Sequence, residues 1–123
     1  VNHIHHLAKV ATVWGDCKRA IEAWLDLSPD ALHIHVGIIG WLAAAAATRR
    51  SLDNMLPWAL LLVAELINEF IDMNQPVGSI ESNWPASRHD IFNTMAMPTV
   101  IFLYLRIRRW WAERQARAVA AEA

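Results

Sequence analysis

The sequence predicts an all-α integral membrane protein, with three transmembrane helices between an N-terminal interfacial amphipathic helix and a C-terminal cytoplasmic helical extension. Three observations predict it. The chain is 55% apolar and 19% charged, oilier than ordinary globular usage. Long apolar stretches follow one another at residues 31–48, 55–73 and 89–108. Seven of the 123 residues are Trp, a side chain favoured where one edge meets apolar matter and the other meets water. This length fits a single membrane domain over 1–123. Eleven Lys and Arg against twelve Asp and Glu give a charge of −1, so there is no basic field to hold nucleic acid. Cys17 is the sole cysteine, which excludes an internal disulfide and any cysteine-rich metal framework.

Residues 1–27 carry Ile4, Leu7, Ala11, Trp14, Cys17, Ile21, Trp24 and Leu25 at three- and four-residue spacing, with Lys9, Asp16, Arg19, Glu22 and Asp26 off that stripe. An interfacial helix is expected. Ser28, Pro29 and Asp30 then read as a helix start, because Ser caps, Pro needs no N–H there and Asp suits the positive end of the dipole. The first span, 31–48, holds no Asp, Glu, Lys or Arg and just crosses a bilayer core. Helical spacing gathers His33, Gly37, Gly40, Ala44 and Ala47 on one side, a strip of small residues that permits close helix approach.

The second span, 55–73, opens Leu-rich and later carries Glu65, Asn68, Glu69 and Asp72 on one stripe, since offsets of three, four and seven residues superimpose. Residues 74–86 contain two prolines and Gly78, so a loop is expected there, with Trp84 at the interface. Ser87 with Asp90 three residues later imitates a capping box. The third span, 89–108, collects Asp90, Asn93, Thr94 and Met97 on one side, and its uncharged run 91–105 is followed directly by Arg106, Arg108, Arg109, Trp110 and Trp111, a cationic and aromatic belt. Strong helix formers over 109–123 extend it as a solvated helix.

Orientation follows from the positive flanks. One side would carry Arg49, Arg50, Arg106, Arg108, Arg109, Arg114 and Arg117, and the other Lys9, Lys18, Arg19 and Arg88 among acidic residues. The N-terminus is expected outside and the C-terminus inside, with no secretory signal peptide ahead of the first span.

That topology brings His33, Glu69, Asp72, Arg88, His89 and Asp90 together at the outer leaflet, with Glu65 about 10 Å deeper than Asp72. An unpaired carboxylate at that depth costs roughly 3 kcal/mol, so Glu65 is expected to be protonated or hydrogen-bonded to Asn68, Asn93 or Thr94. The favoured reading of the cluster is a structural interlock in which Arg88 neutralises a carboxylate and amides bridge the helices. A zinc or manganese site of His33, His89, Glu69, Asp72 and Asp90 is chemically sensible. Acid–base chemistry on a lipid headgroup, or proton movement through Glu65 and Glu69, is the third reading. His3, His5 and His6 read as surface imidazoles at a fraying terminus. No catalytic triad, phosphate loop or haem-attachment motif is present, and the sequence requires no cofactor.

Glu65, Asn68, Arg88, Asp90 and Asn93 resemble the polar pattern of the VanZ-like family of small bacterial membrane proteins, with Glu65 and Asn68 standing for a Glu-x-x-Gln-like pair and the other three for a later Arg, Asp and Asn. The resemblance covers roughly residues 33–105 and implies a protein of the bacterial cell envelope. The expected role is a non-catalytic accessory or assembly subunit in the bacterial inner membrane, packed against lipid and a larger membrane complex. The alternative is a VanZ-like envelope protein with a metal-binding, headgroup or proton-handling site.

Overall fold

The computed structural model describes the backbone of residues 2–75 and 83–122, and side chains from His6 onward within them. Any structure at His3 and His5 side chains, and the greater part of the expected 74–86 loop, lies outside the described residues. The chain is all-helical over these residues: α1 is Asn2–Leu25, α2 Pro29–Thr48, α3 Met55–Asp72 and α4 Trp84–Glu122. Helices α2, α3 and α4 pack mutually, and α1 lies against α3.

The helix ends follow from local chemistry. Asp26 takes a left-handed conformation (φ 53°), which lets Leu27 N–H donate to the Glu22 carbonyl at 3.1 Å and ends α1. Ser28 caps α2, its hydroxyl accepting from Ala31 N–H at 3.2 Å, with Pro29 as first helical residue. Arg49 (φ 52°) closes α2, with Arg50 N–H donating to the Ala45 carbonyl at 3.0 Å. Asn54 caps α3 through Leu56 N–H at 2.9 Å.

At α4 the expected cap moves. Asn83 accepts from Ala86 N–H at 2.9 Å, and Pro85 sits in the first turn, so the helix starts ahead of Ser87. Ser87 is thereby a buried helix-interior residue rather than a cap. The helix then runs unbroken for 39 residues through Pro98. Pro98 has no N–H for the Thr94 carbonyl, and α2 approaches at that point. A Cβ on Gly37 would lie 2.2 Å from the Thr94 carbonyl oxygen, so Gly37 is the residue that lets the two backbones meet.

The apolar core is small: Trp41, Leu61, Met95 and Phe102, flanked by Trp58, whose ring stacks on Phe102 at 6.1 Å and whose N–H donates to Thr99 at 3.0 Å. Around it the polarity is inverted. Every exposed residue within α3 is apolar (Met55, Leu56, Leu60, Val63, Ala64, Leu66, Ile67 and Phe70), while Glu65, Glu69 and Asp72 are buried. Helix α2 exposes Ile34, Val36, Ile39 and Leu42, and α4 exposes Phe92, Met97, Val100, Leu103 and Tyr104. Among the described residues α2 is the one helix long and apolar enough, by length and composition alone, to cross a membrane. The acidic residues of α3 and the charged ends of α4 keep those two from meeting the same test.

Helix α1 packs through small residues. Its contact strip is Ala11 and Gly15, with Lys18 half-buried, and Val10, Val13, Trp14, Ile21, Trp24 and Leu25 face outward. Of the stripe expected on this helix, Ala11 is buried, whereas Trp14, Ile21, Trp24 and Leu25 stay exposed.

Candidate functional site

Four acidic side chains and one imidazole converge where the start of α2, the end of α3 and the start of α4 meet. The α3 stripe supplies Glu65, Glu69 and Asp72. The α4 stripe supplies Ser87, Asp90 and Thr94, spaced by three and four residues so that they share a face. His33 comes from the second turn of α2.

Thr94 is the hinge of the inner part. Its hydroxyl donates to Glu65 Oε1 at 2.8 Å and contacts His33 Nδ1 at 3.0 Å. The Thr94 proton is committed to Glu65, so the contact requires the proton of the imidazole to sit on Nδ1 and donate to Thr94 Oγ1. The same nitrogen lies 3.5 Å from Glu65 Oε1. The far side of the ring, Nε2, faces Asp90 Oδ2 at 3.7 Å, beyond hydrogen-bond reach. Glu65 is thus satisfied by Thr94, one of the three partners expected for it; Asn68 and Asn93 bond elsewhere.

Glu69 accepts from Asn68 Nδ2 at 3.0 Å, and Asn68 is itself held by the Trp14 indole N–H at 2.9 Å. Asp72 is the most enclosed acid, its side chain 1% exposed, and it pairs with Lys18 Nζ at 2.6 Å while accepting from Gln75 at 3.0 Å. At the rim, His89 Nδ1 lies 3.4 Å from Asp30 and 4.0 Å from Asp90. Asn93 donates to Asp30 at 3.0 Å rather than reaching inward.

Arg88 departs from expectation. It is exposed and forms no ion pair among the described residues, because one step beyond Ser87 turns it about 100° off the inward stripe. The neutralising cation is Lys18, sent across from α1. Sequence reasoning also missed Ser87, whose buried hydroxyl lacks a regular hydrogen bond; its three- and seven-residue spacing from Asp90 and Thr94 was the available signal. One ligand atom each from His33, Glu69 and Asp90 fall within 4.8 Å of one another, as do atoms of Asp30, His89 and Asp90. Asp72, expected among the metal ligands, is in neither group.

At the opposite end, Arg109 bridges Asp53 and Glu113 at 3.0 Å each, which ties the α2–α3 turn to α4. The Ser51 hydroxyl, and then Arg109, hold the Asp53 carboxyl below the usual carboxylate range. Comparison of the chain with family models, curated proteins and solved structures finds no match.

Proposed function

We propose that the chain is a small integral membrane protein of three spans that serves as a non-catalytic accessory or assembly subunit of a larger membrane complex. The observation that carries the reading is the inverted polarity: acids and hydroxyls inside, and an apolar belt outside on α2, α3 and α4. Contiguous exposed apolar surface of that kind is unfavourable in water and rare on soluble monomers; in lipid it is the required exterior. The charges of α3 do not argue against a span, because they point inward and are hydrogen-bonded or paired, the condition under which ionisable groups persist in a bilayer.

Helix α1, with Trp14 and Trp24 outward, suits the outer interface. The Arg-rich end of α4 and the 49–54 turn, joined by the Arg109–Asp53 pair, suit the cytoplasmic face. A partner follows from α4, whose residues 106–122 are all exposed. That is about 25 Å of helix with Trp110, Trp111 and Val119 open to a partner. Mild-detergent extraction followed by native electrophoresis should give a complex much larger than the monomer. A lone, monodisperse monomer would count against the accessory role.

A further inference from the structure

We propose that His33, Glu69 and Asp90 form a binding site for one first-row divalent cation, zinc or manganese, between α2, α3 and α4. One ligand atom from each residue lies within 4.8 Å of the other two. Bonds of 2.0–2.2 Å at tetrahedral angles would place such atoms roughly 3.4 Å apart, so side-chain shifts of about 1 Å close the site. One imidazole and two carboxylates suit a borderline or moderately hard dication.

The triad does not stand alone. Ser87 is 1% exposed, its Oγ stands beside the Glu69 carboxylate without reaching regular hydrogen-bond geometry, and it shares the inward face of α4 with Asp90. A buried hydroxyl without a regular hydrogen bond calls for a physical reason. A cation, or water bound to one, supplies it.

The orientation of the imidazole points the same way. Thr94 donates to Glu65 and receives His33 Nδ1–H, which fixes the tautomer and leaves Nε2 turned toward Asp90 at 3.7 Å. Metal-binding histidines are held in this manner, with the second ring nitrogen hydrogen-bonded away from the ion. Glu69 has a similar support: Trp14 fixes Asn68 and Asn68 donates to Glu69 Oε1. Asp72 has its own cation in Lys18 and stays outside the ligand set.

This inference does not depend on the accessory role, since a monomer or a subunit could hold the ion equally. Full-length protein in mild detergent, stripped with a chelator and dialysed against zinc or manganese, should retain one metal per chain by elemental analysis. X-ray absorption at the metal edge should show one imidazole nitrogen with oxygen ligands. His33→Ala and Asp90→Asn should abolish retention, Thr94→Val should weaken it roughly 10- to 100-fold, and Asp72→Asn should leave it intact. A folded wild-type chain that keeps no stoichiometric metal overturns the proposal, as does a metal spectrum lacking imidazole. Both of those readings use the wild type, so a variant that fails to fold does not shelter the idea.

Discussion

Replacing Gly37 by Ala should separate α2 from α4, and the size of the effect can be worked from the helix crossing. The added Cβ would meet the Thr94 carbonyl oxygen at 2.2 Å and the Thr94 Cα at 3.1 Å. Both are backbone atoms, so no side chain can swing aside and the helices must move apart by about 1 Å to restore van der Waals distance. Overpacking of this kind costs roughly 1–3 kcal/mol. His33 lies one turn from Gly37 and holds Thr94 at 3.0 Å, so the shift also stretches that hydrogen bond, adding about 1 kcal/mol. Alanine returns roughly 1 kcal/mol of helix propensity. The net expectation is a loss of about 1–3 kcal/mol. Gly40→Ala is the control, because its Cβ would meet the mobile end of Leu61, Cδ1 at 3.2 Å, and should change stability by less than about 1 kcal/mol. Equilibrium unfolding in mixed detergent micelles reads both. Equal stability of the two variants, or a Gly37→Ala protein as stable as wild type, would refute the reasoning.

Three further outcomes follow from the site and the far turn. Lys18→Met leaves Asp72 buried without its ammonium partner and should cost about 3 kcal/mol, most of it recovered by adding Asp72→Asn; a double variant no better than the single would contradict the pairing. Trp14→Phe removes the donor to Asn68 and should cost about 1 kcal/mol, read as faster protease cutting of α1; an unchanged rate would show that the indole bond holds nothing. Asp53 titrates lower in the folded chain than in the unfolded one, so its contribution is present above about pH 4 and lost as pH falls through the folded value. The stability gap between wild type and Asp53→Asn should therefore shrink in acid, and a gap that is constant down to pH 2 would exclude the Ser51 and Arg109 contacts as its source.

The helices were legible because their signals are local. Ser28 and Pro29 mark the start of α2 by capping chemistry, and the Glu65, Glu69, Asp72 spacing already places three acids on one side of α3. His33 above Gly37 was readable as a close-packing strip for the same reason. What the sequence hid were choices made between elements. Arg88 and Lys18 look alike as candidate cations, and only the rotation of α4 and the docking of α1 decide that Lys18 reaches Asp72. Ser87 looks like a cap because Asp90 follows it, yet Asn83 caps one turn earlier. The stripe of α1 has helical period whichever way it faces, so period alone could not tell that Ala11 and Gly15 would be buried while Trp24 stayed out. Pro98 gives no hint in sequence that its unmatched carbonyl partner, Thr94, lies where Gly37 arrives.

The central claim, three spans with the N-terminus outside, is tested most directly by labelling single cysteines with a membrane-impermeant maleimide in intact cells and in inverted vesicles. Cys17 is exposed on α1 and should label from outside, as should Asn83→Cys at the head of α4. Ser51→Cys in the α2–α3 turn and Arg117→Cys on the α4 extension should label only from inside, both in a background lacking Cys17. Leu60→Cys, on the outward apolar face of α3, should label from neither side. Labelling of the positions 17 and 51 from the same side, or of Leu60→Cys as fast as Cys17, would contradict the three-span arrangement.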